Sequence, residues 1–137
     1  MSNHWILKTE PTVYSFAQLR ADRTTRWDGI SNAMALRHLR EVAKGDELLI
    51  YHTGDERALV GRATVTRAAY PDPNDADPKH VVIDIAAGAP LPRPIALAEI
   101  KADSAFADLA LVRQGRLSVV PVPPPQWRRL LHLAGAA

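Results

Sequence analysis

The chain has no cysteine, only 6% aromatic residues, no large excess of either charge, and no apolar run long enough to span a membrane. Without cysteine there is no disulfide and no thiolate metal site, which fits a reducing compartment. Met1-Ser2-Asn3-His4-Trp5 lacks the charged start and apolar core of a signal peptide, so cytoplasm is the expected location, with no membrane partner. Lysine and arginine total 17 against 15 acidic residues, a net charge of +2. The resulting pI of about 9.2 is basic, yet too mild to announce a nucleic-acid partner by itself. Histidines 4, 38, 52, 80 and 132 have no metal-ligand spacing, so neither metal nor cofactor is expected.

What remains is ordinary globular material. With 137 residues, 47% hydrophobic and 23% charged, the chain suits a single domain over residues 1–137, with a monomer favoured. His4 to Thr9 is a short apolar run ended by Pro11, the pattern of a buried strand. Ser15 can cap a short helix over residues 16–20, and the polar stretch from Asp22 to Gly29 reads as a loop. Ala35, Leu36, Leu39, Val42 and Ala43 repeat at helical spacing behind Ser31 or Asn32 as cap, with Gly45 as the stop.

Strand patterns follow. Residues 47–53 and 59–69 read as a hairpin, and His80 to Ala86 as another strand. Gly88 to Pro94 reads as a loop, residues 98–109 as short helical turns, and Arg116 to Val122 as a last strand. Pro124 or Pro125 opens a final helix with Trp127, Leu130, Leu131 and Ala134 on one face. Short strands with interspersed helices suggest an α+β fold, either a small mixed barrel or a strongly curved open sheet.

Five words stand out: Trp5-Ile6-Leu7-Lys8-Thr9-Glu10-Pro11, Trp27-Asp28-Gly29-Ile30, Tyr51-His52-Thr53, Tyr70-Pro71-Asp72-Pro73 and Arg116-Leu117-Ser118-Val119-Val120-Pro121-Val122. In this order and at these separations they resemble the EVE domain family, from Trp5 to about Leu131. The resemblance implies a PUA-like mixed β pseudobarrel with flanking short helices, related to YTH and ASCH domains. It also implies a non-catalytic pocket for a modified nucleobase in DNA or RNA.

Such a pocket needs a flat π surface and polar groups for the base edge. Trp27 is the candidate platform, and a stacked base gains about 1–3 kcal/mol from such a ring. Asn32 can read a base edge, although helix capping is an equal claim on it and Ser31 competes for the cap. In the third word Tyr51 and Thr53 share one strand face and His52 takes the other, as a rim contact or a structural residue. Lys8 suits a phosphate or base oxygen, and Glu10 a base amino group, with a salt bridge inside the domain as the competing role for both. Ser118 offers a hydroxyl, Arg37 and Arg116 are candidates for backbone contact, and Trp5 reads as core.

The chain departs from the family's pattern after Trp27-Asp28-Gly29. The family places arginine where Ser31 stands and a second arginine where Leu36 stands, whereas Asn32 and Ala35 keep the frame. Losing the first guanidinium removes a stacking and hydrogen-bonding group, so the preferred base is expected to differ. Two rival functions remain. Glu10, Asp28, His52 and Asp55 could supply acid–base chemistry to an enzyme acting on a nucleoside or nucleic acid, although no nucleophile or phosphate-loop motif accompanies them. The changes at Ser31 and Leu36 would instead suit a protein-interaction module with a vestigial pocket.

Overall fold

The computed structural model describes residues 3–136. Its strands are β1 (His4–Thr9), β2 (Thr24–Trp27), β3 (Glu47–His52), β4 (Ala58–Pro71), β5 (Val81–Ala96) and β6 (Val119–Pro121). Helices α1 (Phe16–Asp22), α2 (Ala33–Glu41), α3 (Leu97–Ala102), α4 (Ala110–Arg113) and α5 (Pro124–Leu133) intervene, with a 3-10 turn at Ser104–Phe106. The strands form one mixed sheet in the order β2-β5-β4-β3-β1-β6. Only β1 and β3 run parallel, in the register Ile6 to Leu49 and Lys8 to Tyr51.

Trp5, Ile6 and Leu7 in β1 and every residue from Leu48 to His52 in β3 are buried in succession. Consecutive burial means both faces of these strands are covered. Ala35, Leu36 and Leu39 of α2 face the core, and the helix contacts β4, β5 and β6. Since β6 ends the sheet and β5 lies one strand from the opposite end, packing both on one helix forces the sheet to curl. The curl stops short of closure: β2 and β6 do not pair, and a seam separates the two ends.

Three readings from sequence need correction. The segment taken as a loop contains β2, a four-residue edge strand whose exposed Thr24 and Arg26 give it a polar look. The proline-rich stretch from Gly88 to Pro94 lies inside β5. Its register with β4 slips between the Gly61–Pro90 and Leu59–Ile95 pairs, so Pro92 and Pro94 fall where no regular ladder bond is required of them. The last strand is only Val119–Pro121, with Arg116 to Ser118 preceding it. The two expected caps are present: Ser15 Oγ accepts from Gln18 N at 3.0 Å and Asn32 Oδ1 from Ala35 N at 3.0 Å. Helix α2 ends at Glu41, short of Gly45, and just beyond it the Asp46 carboxylate accepts from Ala43 N at 2.9 Å.

Helix α1 is held to the sheet by a glycine and a histidine. A Cβ built on Gly61 would lie 2.1 Å from the Phe16 ring, so only glycine lets the ring sit against β4. The Phe16 amide donates to His52 Nε2 at 3.0 Å. An amide N–H can only donate, so Nε2 carries no proton, and Nδ1 is left to donate to Glu56 Oε2 at 3.1 Å. Gly61→Ala is therefore expected to cost about 1–3 kcal/mol by overpacking, read as a lower urea midpoint. An unchanged midpoint would show that Phe16 can move without loss.

Candidate nucleobase cleft at the sheet seam

A cleft of about 560 Å³ opens at the seam. One wall is Thr25, Arg26 and Trp27 of β2 with the loop through Ile30; the other is the end of β1, from Lys8 to Glu10, with Ser118 just before β6. The turn after β1 adds Val13 and Tyr14. Alternation along β2 puts Thr25 and Trp27 on the same face. The cleft thus exists because the sheet ends there meet without pairing.

Trp27 is 6% exposed, so it is at once a core residue and part of the cleft wall. Tyr14 packs its ring edge-on, with centroids 6.1 Å apart and planes at 78°. Tyr14 is held from both ends: Thr9 Oγ1 donates to its carbonyl at 2.7 Å, and its own hydroxyl donates to Asp22 Oδ2 at 2.7 Å. Burial, the largest effect on it, raises the Tyr14 phenol above its ordinary range, which keeps it a neutral donor.

Lys8 donates to the Gly115 carbonyl at 2.8 Å and lies 5.6 Å from the Tyr51 ring centroid. Burial lowers its pKa and raises that of Tyr51, since each charged form is poorly solvated there. Lys8 also borders a smaller depression of about 260 Å³ that holds Tyr51 and Thr53. Glu10 Oε2 accepts from Thr53 Oγ1 at 3.2 Å, and its Oε1 from Thr12 Oγ1 at 3.2 Å and Thr12 N at 3.4 Å. A carboxylate has about four lone-pair sites, so some acceptor capacity remains beyond these three bonds.

The expected site residues do not all meet. Lys8, Glu10, Trp27 and Ser118 line the cleft, and Tyr51 and Thr53 lie across Lys8 from it. Asn32 lines a separate depression with Arg116 and spends its side-chain oxygen on the helix cap, so the pairing of Trp27 with Asn32 in one pocket is not what the fold builds. Ser31 is exposed just past Ile30, the last residue of the cleft wall. Leu36 is 4% exposed and packs in the core. His52 is buried, with each ring nitrogen hydrogen-bonded, and Arg37 is exposed on α2. Trp5 is core as expected, and its Nε1 donates to Asp46 Oδ2 at 2.9 Å.

Sequence reasoning missed Thr9, Val13, Tyr14, Thr25, Arg26, Gly29 and Ile30 as lining residues, and gave Asp28 only to the rival enzyme reading. Reading Thr24-Thr25-Arg26-Trp27 as a strand would have pointed to Thr25 beside Trp27 by alternation. Among the described residues no group of three or more histidine, aspartate or glutamate side chains could hold a metal ion. No helix there is long and apolar enough to cross a membrane.

Known proteins share this arrangement. Human thymocyte nuclear protein 1 is 26% identical over 167 residues, covering 97% of this chain and 74% of that protein. A structure of a Rhodopseudomonas palustris protein is 38% identical with a TM-score of 0.92, over 97% of this chain and 93% of that one. The crystal structure of human THYN1 protein in complex with 5-methylcytosine-containing DNA is 28% identical with a TM-score of 0.89, over 97% of this chain and 98% of that one. The curled mixed sheet with its short helices is accordingly the α+β, PUA-like fold of these neighbours. The EVE domain model matches residues 3–133, and this chain belongs to that family.

Proposed function

We propose that this protein is a non-catalytic reader of a modified nucleobase, taking one base from a nucleic-acid strand into the seam cleft. The observation that carries the reading is the composition of that cleft, where the aromatic rings of Trp27 and Tyr14 line it together with Lys8, Glu10, Asp28 and Ser118. Its size falls within the range of about 300–1,000 Å³ usual for small-ligand sites. Carboxylates accept from the exocyclic amine of cytosine or adenine, and an ammonium or hydroxyl donates to a base carbonyl oxygen or ring nitrogen. An amino-bearing base is therefore the favoured ligand, and the 5-methylcytosine DNA bound to the human relative is the first to test. An acid–base reaction has less support, because both ring nitrogens of His52 are engaged in holding α1 and Glu56.

The experiment is a binding panel of matched modified and unmodified oligonucleotides, as single-stranded and duplex DNA and as RNA. A methyl-sized group in a fitted pocket is worth about 1–3 kcal/mol, so roughly a 10- to 200-fold preference is expected for the right member. Equal, weak binding to every member would defeat the reading, and turnover of any member would replace it with an enzyme.

A further inference from the structure

A second depression, of about 490 Å³, adjoins the cleft and shares Thr25 and Arg26 with it. Thr24, Thr66, Arg67, Tyr70 and Asp84 complete its lining. Tyr70 organises it. The Arg67 guanidinium carbon sits 3.7 Å from the Tyr70 ring centroid, and Arg26 Nε donates to the Tyr70 hydroxyl at 3.2 Å. That hydroxyl in turn donates to Asp84 Oδ1.

These bonds link β2, β4 and β5, yet they leave much of the cluster's donor capacity unspent. Arg26 and Arg67 are both exposed, and bringing two guanidiniums to one phenol sets like charges against each other. Asp84 and Asp72 lie close enough to Arg26 to offset part of that repulsion, so the face is not a bare positive patch. What it offers is donors. Arg26 spends only Nε on Tyr70, and among the described residues Arg67 donates no hydrogen bond to the protein. Stacking on the ring holds the Arg67 plane still while leaving its N–H edge open, and three threonine hydroxyls lie alongside. A planar fork with hydroxyl neighbours is the usual receptor for phosphate oxygens.

Position completes the argument. Trp27 faces the cleft, and Arg26, its neighbour in β2, spans the cleft and the second depression. A strand with one base beside Trp27 would carry its adjoining phosphates over Arg26. We propose that Arg26, Arg67 and Tyr70 form a phosphate track holding the backbone of the strand whose base occupies the seam cleft. The proposal rests on the reading of that cleft as a base site. It gives the Tyr70-Pro71-Asp72-Pro73 word a role, and it puts backbone contact on β2 and β4 rather than on Arg37 and Arg116.

The test uses the full chain and two single-stranded DNA probes, one carrying a single 5-methylcytosine and its twin with cytosine, titrated across a salt series. Arg67→Ala should weaken both probes by the same factor and make the slope of log affinity against log salt shallower by about one. The ratio between the probes should stay at the wild-type value, because Arg67 does not line the cleft. Arg67→Lys should restore most of the slope but only part of the affinity, because it keeps the charge without the fork. A thermal melt near wild type verifies the fold, as Arg67 is exposed. Unchanged affinity and slope in Arg67→Ala would overturn the track, as would a collapsed ratio with the slope intact. Failure of the cleft reading shows separately, as a wild-type protein that does not distinguish the probes.

Discussion

Trp27→Ala is expected to lower both stability and nucleic-acid affinity, and the two losses can be measured apart. Trp27 is 6% exposed and belongs to the main core, so truncation leaves a cavity costing about 3–5 kcal/mol. The same ring forms the cleft wall, and losing a base contact of this kind costs about 1–3 kcal/mol, roughly 5- to 150-fold in affinity. Urea unfolding reads the first loss; oligonucleotide affinity, measured where circular dichroism shows the variant folded, reads the second. Trp27→Phe should recover much of each, since a phenyl ring fills part of the space and keeps a π face. A destabilised Trp27→Ala protein with unaltered nucleic-acid affinity would favour the vestigial pocket.

Asp46→Ala should be among the most damaging polar substitutions. Asp46 is 2% exposed, and its carboxylate accepts from Asn3 N at 3.0 Å, Trp5 Nε1 at 2.9 Å and Ala43 N at 2.9 Å. One side chain thereby ties the start of β1, the indole of a core tryptophan and the turn after α2. Each buried donor left without a partner costs about 1–3 kcal/mol, so the combined loss is on the order of 3 kcal/mol or more. For a chain of this size that corresponds to a melting temperature lower by roughly 10 °C or more. Asp46→Asn should fall between the two, because it keeps one acceptor oxygen but points an amide at a donor. A melt of Asp46→Ala within a few degrees of wild type would show that water replaces the carboxylate there.

The elements legible in the sequence were those whose burial is either unbroken or helically spaced. The unbroken runs at β1 and β3 and the spacing of Ala35, Leu36 and Leu39 in α2 marked themselves, as did the cap at Ser15, while the cap of α2 was narrowed to Ser31 or Asn32. Strand β2 was hidden because Thr24 and Arg26 face solvent at the sheet edge, and the end of β5 because its prolines sit at an irregular register. The site was only half legible for the same reason. Lys8, Glu10, Trp27 and Ser118 came from words in the sequence, whereas Arg26 joins them through a strand the sequence disguised and Tyr14 through the turn after β1. Asn32 carries chemistry suited to a base edge, but the local demand of the helix end claims it first.

Because the cleft lies where β2 and β6 fail to pair, its width is not fixed by ladder hydrogen bonds. It is set by the turn bearing Tyr14 and by the loop after Trp27, both outside the sheet's bonding. Substitutions there can widen or narrow the opening without sacrificing a single interstrand bond. On the proposed reading of the cleft, substitution at an exposed position of that loop such as Asp28 reshapes the ligand site at little cost to folding, so ligand choice and fold stability are separable there, whereas Tyr14 and Ile30 pack against the core.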